Sequence, residues 1–473
     1  MRVRRRIEDD VARGRDAGRW GSWIVVGLWA LVLVPFAGTR NLYYEEGRYT
    51  LAALDMLQNG HWLRPEVLGE GFVAKPPLLY WLVASAISLG GVSEWVVRAP
   101  ALLAALLGAL LVERDARRRG GAPAGLLAAV AFLLSPYVFT TGARSEPDLF
   151  VSVASFAAFR IWLESRCTRQ GSAILAWIAT ASLLAATALL KGPLPLAWFG
   201  IGACLVVVRE RRWRELPGLA LLGGIALSAF AAWAGAVYQP GDETAFQDMT
   251  RTGGWPTVST YLKGLVRFVG ETAAHLLPWL AVAALPLSRR WRHEAGFDAS
   301  PAVPFALYAV GCTVPLALWP HALARYAMPA MPGVAVVAGL AGAAAWRAGS
   351  PAIRTAIRGL VLAALTVRLA WLAAIPFDAT RNEDARRLAE TLAAPMGTSR
   401  DPLLILGPAI DYNAAFYLQR AGHSPRLIRT PGEVLTPAWL ITAAPPPPGT
   451  REMARGASRR GVVYRVCRVG STD

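Results

Sequence analysis

The stretch YYEEGRYTLAALDMLQNGHWLRPEVLGEGFVAKPPLLYWL, residues 43–82, sets two adjacent carboxylates, Glu45 and Glu46, ahead of Arg48, with Lys75 further along. A second stretch, TGARSEPDLF, adds Arg144, Glu146 and Asp148. If a helix starts near Glu45, Arg48 lies on the same side three residues on, and Glu46 points about 100° away. Carboxylates and cations drawn from separate loops suit one kind of reaction. A carboxylate takes the proton of an acceptor hydroxyl while cations stabilise a phosphate leaving group. Each residue also has a plainer reading. Acids at a helix start complement its dipole, Glu146 before Pro147 does the same, and Lys75 and Arg144 read as snorkelling interfacial cations. The number of such groups in neighbouring loops favours the chemical reading.

The chain that must position them has 473 residues, 54% hydrophobic and 17% charged, with mean hydropathy +0.37. A soluble domain carries about a quarter charged residues, so a polytopic membrane protein is expected. The net charge of +17 does not indicate a nucleic-acid partner. Its arginines fall in short clusters between apolar runs, as cytoplasmic loops do, with anionic membrane lipids as their partners. Cys167, Cys204, Cys312 and Cys467 show neither a disulfide framework nor a zinc-ligand pattern. The first apolar run follows MRVRRR but exceeds a signal-peptide core, and is read as a retained helix.

Eleven segments approach the 17–25 residues a span needs: 21–38, 96–113, 122–141, 147–164, 173–190, 193–208, 217–237, 263–286, 302–319, 326–346 and 355–375. With these spans the basic clusters share one side, which must be cytoplasmic. Residues 76–91 are also apolar, but a span there would invert everything downstream. They are expected to form an interfacial helix led by Pro76–Pro77, with Tyr80 and Trp81 at headgroup depth. The stretch of residues 43–82, the turn TGARSEPD at 141–148, Lys191, the loop 239–262 and WPHALAR then gather on the outer face.

EEGRYTLAALDMLQNG reads as a short amphipathic helix with Leu51, Leu54 and Leu57 on one face and Gly60 as its stop. Arg267, Glu271 and His275 lie four apart, and a structural Arg–Glu pair is expected there. Arg368 is expected to face the bundle, and His61, His293, His321 and His423 suggest no ligand spacing. From about 376 the composition changes to a small α/β domain. Its expected elements are a polar-faced helix near 377–395, a strand in DPLLILGP, a helix in DYNAAFYLQR, strands in PAWLITA and GVVYRVCRV, and a loop at APPPPG. The expected domains are 1–375 and 376–473.

The motifs YYEEGRYTLAALDMLQNGHWLRPEVLGEGFVAKPPLLYWL, EWVVRAPALLAALLGALLV, ARSEPDLF, LLKGPLPL, WPTVSTYL with LLPW, and LARYAMPAMPGVAVVAG resemble, in that order, the type-C membrane glycosyltransferases. The likeness is to the bacterial lipid A aminoarabinose transferases and the wider protein O-mannosyltransferase superfamily, over roughly residues 20–350. DYNAAFYLQR is similar to a short helix motif of that family's outer C-terminal domain. The resemblance implies an all-α polytopic membrane protein of about eleven spans, interfacial helices in the first outer loop and a small extracytoplasmic α/β domain. It also implies transfer of a sugar, with inversion, from a polyprenyl-phosphate donor to a lipid, glycan or protein acceptor.

On this resemblance the family's catalytic acid falls on Glu45, the next acid on Glu46 and the second-loop acid on Glu146. Arg48, Lys75, Lys191 and Tyr326 fall on donor phosphate-binding positions. Tyr49 matches the first-loop tyrosine, and Arg144 and Asp148 are further candidates. Glu45 stands where the family usually has Asp, and Ala74 where it has Glu. The latter removes a carboxylate that some relatives offer to a metal, so neither a metal nor a cofactor is expected. The expected location is the bacterial inner membrane, with the active site on the outer side. The alternative is a flippase or transporter of lipid-linked sugars, which would normally show related halves and midplane charges. A non-catalytic scaffold leaves the charged constellation unexplained.

Overall fold

The computed structural model describes residues 21–166, 170–250, 256–374, 384–407, 410–433, 437–458 and 461–470. MRVRRR, Cys167, Trp255 of WPTVSTYL and the break expected at Pro376 lie outside the described residues.

The chain opens with α1 (Gly21–Thr39), α2 (Glu46–Asn59), the strands β1 (Glu66–Val67) and β2 (Glu70–Gly71), and α3 (Leu78–Gly90). Helices α4 (Glu94–Gly120), α5 (Ala122–Leu133), α6 (Pro136–Thr141), α7 (Pro147–Ser165), α8 (Gln170–Lys191), α9 (Leu194–Glu210) and α10 (Leu216–Val237) follow. Next come α11 (Glu243–Thr250), α12 (Val258–Leu276), α13 (Trp279–Ala284), α14 (Arg289–Glu294), α15 (Val303–Ala317), α16 (Ala330–Ala348) and α17 (Pro351–Ala374). The C-terminal part holds α18 (Asp384–Ala393), β3 (Leu403–Leu406), α19 (Tyr412–Arg420), β4 (Pro425–Ile428), β5 (Ala438–Thr442), β6 (Thr450–Ala457) and β7 (Val463–Val469).

Two compact units result. The first comprises residues 1–35, 74–76 and 101–370; the second comprises 36–73, 77–100 and 371–473. The C-terminal residues therefore share a unit with most of the loop that carries Glu45, and the division falls at 370/371.

Among the described residues, six helices are long and apolar enough to cross a membrane: α1, α4, Gly171–Lys191, Trp213–Val237, α16 and α17. A seventh arises if Val258–Leu276 and Trp279–Leu287, which meet at 92°, count as one bent span. The expected figure of eleven is not reproduced, for local reasons. Segment 122–141 is interrupted where Ser135 caps a new helix opening at Pro136. Segment 302–319 yields a helix of 15 residues. The run 263–286 bends where Leu277 and Pro278 separate its two helices.

Charges of the first unit sort to the two ends of its helices. At one end Arg118 pairs with Glu164 at 2.8 Å, Arg160 with Asp115 at 2.9 Å, and Arg166 with Glu210 at 2.6 Å and Glu215 at 2.9 Å. At the other end of α7, Asp148 pairs with Lys191. Helix α7 has 19 residues and is roughly 28 Å long, close to the thickness of a bilayer's hydrocarbon core. In α17 Arg368 is buried as expected, donating to the carbonyls of Val32 at 2.7 Å and Phe139 at 2.9 Å. Arg267 and Glu271 form the expected pair at 2.7 Å, and both are exposed.

In the second unit α2 ends where expected, with Gly60 in the left-handed region at φ 77° and its N–H on the Met56 carbonyl. Only glycine takes that conformation without a steric cost. Leu51 and Leu54 are buried, but Leu57 is exposed, because the packed face of α2 also takes in Ala52, Ala53 and Met56. Helix α3 has 13 residues, about 20 Å, too short to span. Tyr80, expected at headgroup depth, is instead enclosed against Tyr49 and Phe72, each at 5.7 Å between rings.

The five-stranded sheet runs β4-β3-β5-β7-β6, parallel across the first three strands and antiparallel in the last two pairings. APPPPG is the loop between β5 and β6. Helix α19 packs on α2 at Gly47, where a Cβ would lie 2.6 Å from Asn413 Cα and 2.7 Å from the Tyr412 carbonyl oxygen. Gly47→Ala overpacks this crossing and is expected to cost about 1–3 kcal/mol. A thermal unfolding midpoint equal to wild type for the purified full-length variant would rule out so close a crossing.

Candidate functional site

Each unit carries one cluster of the residues singled out in the sequence, and each is described within its own unit. In the second unit, Glu45 is the residue before α2, and Arg48 lies one turn on. Their side chains approach to 3.6 Å, the same-side placement that three-residue spacing requires, and both are partly exposed. The Arg48 guanidinium lies over Phe72 at 4.5 Å and Tyr412 at 4.8 Å, and its buried Nε makes no hydrogen bond among the described residues.

Glu46 takes a different part from the one expected. It is fully enclosed, with Arg98 Nε 2.9 Å from Oε1 and Nη2 2.7 Å from Oε2. Arg98 also donates to the carbonyls of Ala37 at 2.9 Å, Arg40 at 2.6 Å and Asn41 at 2.9 Å. Glu46 Oε2 accepts the Tyr43 N–H at 3.2 Å as well. A carboxylate held on this many sides is suited to framing the turn. Tyr49, another candidate, is likewise buried in the aromatic cluster with Phe72 and Tyr80.

The turn before Glu45 is strained and braced. Tyr44 adopts φ 55°, a costly conformation for a bulky side chain. Asn413 spans the turn, its amide nitrogen donating to the Tyr44 carbonyl at 3.1 Å and its oxygen accepting the Gly47 N–H at 2.9 Å. Asp411 caps α19 by accepting the Asn413 N–H at 2.9 Å. Tyr417 accepts the Leu42 N–H and donates to Glu94, both at 3.0 Å, and Arg420 reaches Glu94 at 3.1 Å. Burial, with the Glu94 carboxylate adding to it, pushes the Tyr417 phenol well above its ordinary pKa and keeps it a neutral donor.

In the first unit Arg144, Glu146, Asp148, Lys191 and Tyr326 come together. Arg144 lies 3.6 Å from Glu146, Lys191 is paired with Asp148, and the Lys191 ammonium sits 4.1 Å from the centre of the Tyr326 ring. Three bonds hold the turn that carries Tyr326. Tyr137 donates to the Ala324 carbonyl at 2.6 Å, Ser152 to the Met328 carbonyl at 3.2 Å, and Thr141 to the Met328 sulfur at 3.5 Å. Arg325 joins this cluster. Burial opposes its charge, but Asp148, then Tyr326 and Glu146, outweigh burial and raise its pKa above the ordinary value. Three cations thus face two carboxylates, which leaves a net positive site for an anion. Lys75, half-buried, belongs to the same unit.

Sequence reasoning missed Arg325, Arg98 and Asn413. Arg325 adjoins Tyr326 in the quoted LARYAMP, and Asn413 lies in the quoted DYNAAFYLQR, so both were within reach. Arg98, in EWVVRAP, carried no local signal.

Asp55, His61 and Glu66 each offer one ligand atom, all within 4.8 Å of one another. Asp55 already accepts from Asn59 at 2.6 Å and from the Glu66 N–H at 2.7 Å, and lies 3.0 Å from His61 Nδ1. That knot explains the carboxylate by tying the end of α2 to β1.

A family model described as dolichyl-phosphate-mannose-protein mannosyltransferase matches residues 74–235. The undecaprenyl phosphate-alpha-4-amino-4-deoxy-L-arabinose arabinosyl transferase of Pseudomonas paraeruginosa is 28% identical over 380 residues, covering 75% of this chain and 65% of that protein. The protein of that name from Edwardsiella ictaluri is 27% identical over 321 residues, covering 60% and 56%. The chain thus spans less than two thirds of the length of these curated relatives. ArnT from Cupriavidus metallidurans in the apo state superposes with TM-score 0.73 at 19% identity over 95% of this chain and 97% of that one. The same protein bound to undecaprenyl phosphate gives 0.73 at 17% identity over 96% and 98%. The resemblance carried by the motifs is borne out: the chain is similar in sequence and fold to the aminoarabinose-transferase and protein-mannosyltransferase superfamily.

The enclosed ion pair sets a test within this site. Arg98→Met leaves the Glu46 carboxylate buried without its guanidinium, and is expected to cost about 3–5 kcal/mol. Glu46→Met with Arg98→Met removes both charges and recovers most of that loss, read by thermal unfolding of the purified full-length variants. A single variant as stable as wild type would show that the pair does not hold this turn.

Proposed function

We propose, from the likeness to that superfamily, that the chain is an integral membrane glycosyltransferase. It moves a sugar from a polyprenyl-phosphate donor to a lipid acceptor such as lipid A, or to another envelope glycan or protein, at the outer leaflet of the bacterial inner membrane. The names of its relatives favour undecaprenyl phosphate as carrier and an aminopentose as sugar. The observation that carries the proposal is the net-positive cluster of Arg144, Lys191 and Arg325 with Glu146, Asp148 and Tyr326, at one end of the membrane helices.

In this reaction the acceptor oxygen attacks the anomeric carbon as the bond from that carbon to the phosphate oxygen breaks, inverting the centre. The phosphate departs as an anion stabilised by cations. Lys75, Lys191 and Arg325 of the first unit are assigned to it, and Tyr326 holds the Lys191 ammonium over its ring; Arg48 is given the same role by the family resemblance alone. Glu45, the exposed member of the acidic pair, orients the acceptor and takes the proton of a hydroxyl. If the acceptor is a phosphate, already anionic, there is no proton to remove and Glu45 only orients it. Glu146 assists by holding Arg144, and Glu46 is reassigned to positioning the turn that presents Glu45.

With purified protein, undecaprenyl phosphate-linked aminoarabinose and lipid A, Glu45→Gln is expected to lower kcat by about 10²–10⁴-fold with a hydroxyl acceptor. Arg325→Ala is expected to raise KM for the donor. Transfer at the normal rate by the Glu45 variant would sink its catalytic role, and absence of transfer by wild type with every polyprenyl-phosphate sugar tried would sink the whole reading.

A further inference from the structure

Helix α16 begins just after Tyr326 and runs 19 residues, roughly 28 Å, to its other end beside Trp346. There, a groove of about 410 Å³ opens between α5 and α17, lined by Pro123, Leu126, Leu127, Trp346, Val361 and Leu362, with Ile357 and Arg358 completing it. Its walls are apolar except for the Arg358 guanidinium, which lies 5.0 Å from the centre of the Trp346 ring. No acidic side chain is among the lining residues. Two more arginines stand at this end. Arg354 donates to the Trp346 carbonyl and Arg347 to the Gly120 carbonyl, each at 3.0 Å, so both are engaged with backbone oxygens that cannot neutralise their charge.

We propose that this groove is a binding site for an anionic phospholipid, one acyl chain lying against the apolar walls and its phosphate on Arg358 with Arg354 and Arg347 nearby. Both halves of the occupant follow from the lining. The walls belong to helices that meet the bilayer, so an acyl chain is the apolar segment that reaches them. The single lining charge is cationic, and basic pockets between membrane helices take anionic headgroups. A zwitterionic lipid brings its own cation to the guanidinium and loses that attraction. The site lies one membrane thickness from the Tyr326 cluster, in the opposite leaflet, and does not depend on the proposed transferase reaction.

The test is thermal unfolding of the purified full-length protein in detergent as lipid is added. Phosphatidylglycerol is expected to raise the midpoint of wild type in a saturable way, and phosphatidylcholine to raise it much less. Arg358→Gln, on an exposed helix face, should fold normally and lose most of the phosphatidylglycerol shift. Val361→Trp, which fills the groove and leaves the charge, should lose it too. Glycerol 3-phosphate, the headgroup chemistry without chains, should give no shift. Equal shifts from the two lipids, or a full phosphatidylglycerol shift in both variants, would overturn the site; a shift from glycerol 3-phosphate as large as that from the lipid would overturn the acyl-chain half of it.

Discussion

The Arg98 guanidinium governs the shape of residues 37–46. Arginine has five N–H donors in a fixed plane. Here all five are placed, on two carboxylate oxygens of Glu46 and on the carbonyls of Ala37, Arg40 and Asn41. A buried charge is tolerable only when paired and fully hydrogen-bonded, and this one is both. The consequence is geometric. A planar fork that binds three successive parts of one loop leaves that loop a single conformation, and the turn at Tyr44 is held in its left-handed state within it. Asn413 then fixes the far side of the same turn, bonding to residues 44 and 47 across the two acids. Glu45 is presented by a brace that its own side chain takes no part in.

The first unit solves a related problem with different means. Its helices are largely apolar along their length, so most of their charges fall near the ends, and many of those are paired. At the Arg118 end Arg118, Arg119 and Arg160 share Asp115 and Glu164, which ties α4 to α7, and Arg166 and Arg212 share Glu210 and Glu215. At the Asp148 end the count is uneven, with Arg325 beyond the two acid–cation pairs, so the potential stays positive. The hydrogen bonds from Tyr137, Ser152 and Thr141 to the 324–328 turn fix where that surplus charge sits.

Much of this was legible in the sequence because it is local. The period of α2, its stop at Gly60, the Glu45–Arg48 spacing, the strands DPLLILGP, PAWLITA and GVVYRVCRV and the sidedness of the arginine clusters all follow from residues a few positions apart. The edge strands β4 and β6 escaped because PRLI is short and TREMARGA has Met453 as its one large apolar residue. Span counting from apolar length does not see a break such as Ser135–Pro136. The part of Glu46 was out of reach for another reason. Its partner Arg98 lies 52 positions away, and no spacing rule connects them. Tyr80 was misplaced on the same account, since an aromatic residue after a proline pair reads alike whether it meets lipid or other rings.

The saturation of hydrogen-bond donors separates the arginines that hold the fold from those suited to a ligand. Arg98 and Arg48 sit in the same unit, near the same pair of acids, and in sequence either could be taken for a phosphate-binding cation. Arg98 has no donor left to give. Arg48 is oriented by stacking on Phe72 and Tyr412, which fixes its plane without consuming N–H groups, and Glu45 at 3.6 Å is too distant to bind it tightly. Rings attract the guanidinium through its face, leaving the edge with its donors for an anion. The same distinction divides the acids: Glu46 is enclosed and spent on Arg98, whereas Glu45 keeps a partly exposed carboxylate beside an arginine with unused donors. An arginine and a carboxylate held in place yet incompletely bonded are what the departure of a phosphate and the approach of an acceptor require.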